Sequence, residues 1–280
     1  MRAMMSIAAF LFVGFPAPPM IAQDRPEIRI GTEGAYPPWN ATSADGDLEG
    51  FEIDLAHDLC RRMAVDCEIV SQHWAGMIPA LVTGKYDVIM AGMPITDERE
   101  ATIDFSSCYA AEGVAFAVVS ASALAATPVD GERIRLESAA TGSGQEIEAL
   151  RQLLAGTVIG AQIATTHADF LKAYFSDIIE IRHVDTLENL AVYLAAGRID
   201  AALAPQGFWK KLVDGGNEVD LTLVSPAIAG GVLGKGIGLG FRKEDDDLLG
   251  KFDAVVKAAL ADGTVKRLSE QWFGFDISCG

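Results

Sequence analysis

The run Asp87-Val88-Ile89-Met90-Ala91-Gly92-Met93-Pro94-Ile95-Thr96-Asp97-Glu98-Arg99 constrains the fold more than any other part of the chain. It opens as an apolar, β-branched stretch, the pattern of a strand buried on both faces. It then breaks at Gly92 and Pro94 into a loop that delivers an arginine two residues after Asp97. A strand covered on both faces needs helices above and below it, which predicts an α/β architecture with parallel pairing. A guanidinium on the loop at such a strand's C-terminal edge offers a planar fork to a carboxylate, at the edge where open α/β sheets bind ligands. The alternative for Arg99 is an ion pair with Asp97, Glu98 or Glu100 on a solvated helix start.

The flanking segments continue the alternation. Residues 27–31 read as a strand, Asp45-Gly46-Asp47 as a hairpin-like turn, and Gly50 as the start of a helix. In that helix Phe51, Leu55, Leu59 and Ala56, Cys60, Met63 recur at three and four. Strands are predicted at 68–71, 114–120, 157–161, 178–184, 199–204, 221–224 and 237–241. Helices are predicted at 77–83, 145–154, 168–175, 187–196, 246–260 and 265–272. Thr165 and Thr166 stand where helix N-caps belong. Residues 121–144 read as a polar, irregular insert. The result is two α/β units: 24–111 completed by 233–280, and 112–232, with the glycine-rich 230–240 segment as a second crossing. That segment has no G-x-x-x-x-G-K-[ST] match, so a phosphate loop is rejected.

Residues 1–22 read as a cleavable secretion signal, with Arg2, a short apolar core at 7–15 and the break Pro16-Ala17-Pro18-Pro19. The apolar run is too short to span a bilayer. Its removal leaves 21 basic against 39 acidic residues, a charge near −18. That balance argues against a nucleic-acid partner. Four cysteines suit an oxidising compartment. A Cys60–Cys67 bridge would close a small loop worth roughly 2.5 kcal/mol, while spacing leaves the pairing of Cys108 and Cys279 open. His57, His73, His167 and His183 are scattered and no C-x-x-C occurs, so neither a metal nor a cofactor is expected.

Taken together, several motifs resemble family 3 of the periplasmic solute-binding proteins, which bind polar amino acids. They are Gly50-Phe51-Glu52-Ile53-Asp54-Leu55, Ile95-Thr96 with Arg99, Ala196-Gly197-Arg198-Ile199-Asp200-Ala201, Arg242-Lys243-Glu244-Asp245 and Asp262-Gly263-Thr264. The likeness runs in order from Ile28 to Asp276, and Cys60 with Cys67 matches the bridge of the histidine- and lysine/arginine/ornithine-binding branch. The segments from Thr32 to Asn40 and from Gln72 to Leu81 are similar to the octopine- and nopaline-binding branch.

The resemblance implies a two-lobed type II fold, each lobe a mostly parallel sheet flanked by helices, with a two-strand hinge. The ligand lies between the lobes and is handed to an inner-membrane ABC permease; a monomer is expected. Arg99 takes the ligand's α-carboxylate, with donors from Thr165 and Thr166. Tyr36 and Trp74 wall the side-chain slot with Trp39 close by, and Glu33 answers a cationic end. Ala91, Gly92, Met93 and Ala164 border the ligand, Gly92 and Met93 through their backbone. Each has a plainer reading: core packing for the aromatics, a surface carboxylate for Glu33, simple N-caps for the threonines.

Two departures stand out. Pro94 and Pro205 occupy positions where relatives carry acceptors for the ligand's ammonium, and Ile163-Ala164 replaces a more polar pair. Gln206 is left to substitute for one lost contact. The expected ligand keeps a carboxylate but has a blocked or absent α-amino group, as an opine does. A dehydratase-like enzyme on the same fold, or a ligand sensor for a receptor, is the alternative.

Overall fold

A computed structural model describes residues 27–129, 131, 133–136, 144–214 and 220–279; the expected leader and part of the 121–144 insert lie outside the described residues. Two sheets divide the chain. The first runs in the order Asp66–Ser71, Glu27–Thr32, Val88–Ile89, Gly240–Phe241, Asp104–Phe105. The second runs Glu180–Val184, Val158–Gln162, Ala201–Pro205, Val114–Val119, Ala227–Gly230, Arg133–Leu136, with Leu221–Leu223 also pairing to Val114–Val119.

The sheets are mixed, and the antiparallel strands have one origin. Val114–Val119 runs against Ala201–Pro205 with Val114 opposite Pro205, and Gly240–Phe241 runs against Val88–Ile89. Each is the first strand after the chain passes from one sheet to the other. It enters at the edge where the neighbouring parallel strands end, so it must run backwards. The strands built by strand–helix–strand crossovers are parallel, as the alternation predicts.

Among the elements not expected are the edge strand Asp104–Phe105 of the first sheet, the strand Arg133–Leu136 inside the supposedly irregular insert, the strand Ala227–Gly230, and the helix Gln206–Asp214. The helix Phe51–Met63 buries Phe51, Leu55 and Leu59 and packs on the C-terminal helices Asp246–Ala261 and Thr264–Phe273. Gly50 is required at its start: φ is 132°, and a Cβ would lie 2.5 Å from the Trp39 carbonyl oxygen. Beneath it Trp39 meets Phe51 and Phe273 edge-on, at centroid distances of 5.5 and 5.2 Å, an arrangement favoured by the ring quadrupoles. Cys60 and Cys67 are bridged, with Cα atoms 6.2 Å apart.

Two segments cross between the sheets and meet at Ala110 and Ile237. The C-terminal residues add a third strip: Ala110 bridges Ser278, and the Ala111 N–H donates to the Ile277 carbonyl at 2.7 Å. Cys108 and Cys279, whose pairing spacing left open, form a second disulfide across this strip. Among the described residues no helix is long and apolar enough to cross a membrane, and no group of three or more His, Cys, Asp or Glu side chains is placed to hold a metal.

Candidate functional site

Between the sheets lies a cavity of about 250 Å³. The first sheet's side supplies Glu33, Tyr36, Trp74, Gly92 and Pro94; the second's supplies Gln162, Thr165, Thr166, His167 and Pro205. Gln162 and Pro205 are the last residues of their strands, and the others lie in the segments that follow strand C-terminal edges, which is where an α/β sheet presents groups to a ligand.

Glu33 follows the strand Glu27–Thr32 and is 6 % exposed. Its carboxylate accepts from the Gln162 amide at 2.7 Å, a direct bond from one sheet's edge to the other's. Burial raises its pKa from 4.5 to about 7; the Gln162 bond opposes this, and the charges of Glu188 and Glu52 add to it. Gly92 has φ of +59°, and its N–H donates to Glu52 at 2.7 Å. Glu52 is fully buried and also accepts from Asn40 and the Tyr109 hydroxyl; burial raises its pKa against those three bonds.

Thr165 is the N-cap of the helix Thr166–Phe175: its hydroxyl accepts from the Ala168 N–H and donates to the Gln162 carbonyl at 2.6 Å. His167 lines the cavity from the helix's first turn, and its buried Nδ1 has no partner. Burial, and secondly the charge of Arg99, push its pKa down to about 3, so the imidazole is neutral.

Arg99 does not reach this cavity. It lines an adjoining one with Ala164, Asp169 and Thr166, the last of which borders both. Its guanidinium lies 5.3 Å from the Trp74 ring centroid and donates to the carbonyls of Pro94, at 2.9 Å, and Ala164, at 3.4 Å. Desolvation pushes its pKa down to about 10, with Asp169 and Glu98 pulling it back up. Of the three neighbouring acids that offered an alternative pairing, two are taken elsewhere, Lys235 binding Asp97 at 2.5 Å and Glu100 at 3.0 Å, and Glu98 acts on Arg99 through its charge without forming an ion pair. Ala164 adopts φ of 58° and accepts both Arg99 and the Trp74 indole N–H, at 2.9 Å.

Four expected residues are placed otherwise. Trp39 is fully buried behind Tyr36, and its indole donates to Glu112 at 2.7 Å. Ala91 and Met93 belong to the apolar core under the first sheet, and the Met93 carbonyl accepts from the Gly238 N–H. Gln206 lies past the end of its strand, where the turn into the next helix puts it in an outer groove beside Trp209 and Phe275; Pro205 lines the cavity in its place.

Glu112 was missed. It sits on the outgoing crossing segment and accepts from Trp39, from the Tyr36 hydroxyl at 3.3 Å and from the Gly207 N–H at 2.9 Å, joining both sheets' sides of the cavity. Burial raises its pKa to about 7; its three donors, and then Arg133, oppose that. The one signal in the sequence is an isolated acid between Ala110-Ala111 and Gly113-Val114. Arg133 and Arg135, also missed, line the cavity from the unexpected strand. Their signal is the period-two alternation Arg133-Ile134-Arg135-Leu136.

Residues 28–275 match the family model of the bacterial extracellular solute-binding proteins, family 3. The chain belongs to this family. Among family members, the octopine-binding periplasmic protein of Rhizobium meliloti is 39 % identical, with 99 % of each chain covered. The L-arginine-binding protein of Pseudomonas aeruginosa is 31 % identical over 92 % of each. Among solved structures, a periplasmic His/Glu/Gln/Arg/opine family-binding protein from Silicibacter pomeroyi, in complex with lysine, superposes with a TM-score of 0.69 at 31 % identity, covering 90 % of this chain and 100 % of that one. The fold is therefore the two-lobed type II periplasmic-binding-protein fold, with the cavity described above lying between the two sheets.

Proposed function

We propose that this family 3 protein captures, in the periplasm, an amino-acid derivative with a substituted α-nitrogen, an opine being the type case, and delivers it to an inner-membrane ABC importer. One observation carries the ligand class: proline at both 94 and 205 in the cleft wall, beside the buried carboxylate of Glu33. Proline brings neither a side-chain acceptor nor an N–H, and the Pro94 carbonyl is already engaged by Arg99. A free α-ammonium, with three donors to satisfy, is poorly served there. An alkylated nitrogen has fewer donors and carries apolar carbon that packs on the prolines.

Glu33 receives the ligand's cationic end, and Arg99 receives its α-carboxylate by releasing the Ala164 carbonyl while keeping that of Pro94. Thr165 and Thr166 add donors at the helix start. The bonds Glu33–Gln162, Trp74–Ala164 and Arg99–Ala164 link the lobes directly. A ligand that touches both sides shifts the opening equilibrium toward closure by its differential affinity for the closed form.

A thermal-shift screen of the mature protein against amino acids, opines and Nα-alkylated amino acids, followed by calorimetry, tests this. A ligand that binds only the folded state raises the midpoint. N-substituted compounds are expected to give the largest rises. A plain amino acid binding as tightly as its N-alkylated relative overturns the ligand class. Glu33, half-protonated near neutral pH, also has the property a general acid needs. Turnover of a bound compound in the same incubations would favour an enzyme on this fold.

A further inference from the structure

The strand Arg133–Leu136 lies at the edge of the second sheet, parallel to Ala227–Gly230, with Arg133 opposite Ala227 and Arg135 opposite Ala229. Side chains alternate along a strand. Ile134 and Leu136 are 3 % and 4 % exposed and enter the second lobe's core, so Arg133 and Arg135 share the other face and line the cleft. Adjacent cations on one strand face repel each other, and in this chain most such charge is neutralised. Arg29, Arg62, Arg151, Arg182 and Arg242 each hold a carboxylate. Among the described residues neither the Arg133 nor the Arg135 side chain has an ion-pair or hydrogen-bond partner, although acidic residues outnumber basic ones 39 to 22.

Arg133 also stands close enough to Glu112 for its charge to act on that carboxyl, which places it by the crossing segments. Lys235 also lines the cleft but is paired with Asp97 and Glu100, and Arg99 lies in the adjoining cavity, so cations without a carboxylate partner stand at two separate stations. We propose that Arg133 and Arg135 form a second anion subsite, which binds a carboxylate of the ligand additional to the one held by Arg99. The preferred ligand is then a dicarboxylate built on a secondary amine, with a cation at the Glu33 end. This rests on the function proposed above and specifies it: the substituent on the α-nitrogen itself carries an acid.

Calorimetry with two probes tests the subsite. One is Nα-(1-carboxyethyl)-L-arginine; the other is Nα-isopropyl-L-arginine, which has a methyl in place of the second carboxylate. The wild type is expected to prefer the dicarboxylate by about 10- to 100-fold, the range for hydrogen bonds to a charged group, with partial exposure favouring the lower end. In the double variant Arg133→Gln/Arg135→Gln that ratio should fall to about one, and Arg133→Lys/Arg135→Lys should retain part of it. Circular dichroism checks that each variant is folded. Wild type that binds both probes within about threefold overturns the subsite and leaves the proposed function standing. A preference that survives in the glutamine variant also overturns it. Binding of neither probe removes the substituted-arginine class and the subsite together.

Discussion

Glu33→Gln isolates the energetic consequence of burying a carboxylate at the cleft wall. The substitution keeps the side chain's shape, and its amide oxygen can still accept from Gln162, which lies 2.7 Å away in the native protein. What it removes is the proton equilibrium. In the folded chain the group's pKa is raised from 4.5 to about 7, so the native state holds the proton more tightly than the unfolded state. Below 4.5 the carboxyl is protonated in both states and its contribution to native stability is fully present. Between 4.5 and 7 the unfolded chain ionises first and stability falls; above 7 the loss is complete, on the order of 3 kcal/mol.

Glu112, raised to about 7 by its own burial, titrates over the same window and adds to the loss. His167, held down to about 3, is neutral in the folded state and protonated in the unfolded one below 6.5, so it gains stability as pH rises to 6.5. The difference between wild type and variant isolates Glu33 from both. Urea unfolding followed at half-unit pH intervals from 4.5 to 8 measures this directly. Glu33→Gln should reduce the slope between pH 5 and 7 and be the more stable protein at pH 8, while nearly matching the wild type at pH 4.5. An unchanged slope in the variant refutes the reasoning, because Glu33 would then be ionised at the same pH in both states.

Arg99→Ala should weaken ligand binding by about 2–5 kcal/mol, the cost of truncating one partner of a buried charge pair, and unaltered calorimetric affinity would sink its role. Gly92→Ala should destabilise the protein by roughly 1–3 kcal/mol in urea unfolding, since φ is +59° and the new Cβ would lie 2.6 Å from the Tyr36 ring. It should also lower affinity by displacing that ring from the cleft wall. Opening the Cys108–Cys279 bridge, with a sequence separation of 171, should cost about 5 kcal/mol, against roughly 2.5 kcal/mol for Cys60–Cys67, with a separation of 7. Paired serine variants compared by denaturation midpoint check the order.

The fold was legible wherever burial imposed a period. The helix Phe51–Met63 and the strand Val158–Gln162 declare themselves because one stripe, or both faces, must be apolar. The loop after Val88–Ile89 was legible because Gly92 and Pro94 punctuate it. The strand Arg133–Leu136 hid among Ser, Thr, Gly and acidic neighbours, four residues being too few for alternation to stand out. Gln206–Asp214 was hidden because Pro205 ends a strand at the residue before the helix begins, leaving no loop between them to mark the boundary. Glu112 could not be ranked among 39 acids, because its importance comes from Trp39 and Gly207, brought together only by the fold. Arg99 was recognised, but its position in a neighbouring cavity depends on carbonyl partners that no side-chain pattern encodes.

The four tryptophans give the protein a built-in optical gauge. Trp209 donates to the Ala115 carbonyl and Trp272 to Asp54, each within its own lobe, and Trp39 bonds to the crossing segment. Trp74 alone sends its indole N–H across the cleft, to Ala164, while a guanidinium lies against its ring. Lobe separation would hydrate that one chromophore and remove the adjacent cation. The emission of unlabelled protein should therefore follow opening and closing through a single residue, and Trp74→Phe should silence the signal while the other three indoles continue to fluoresce.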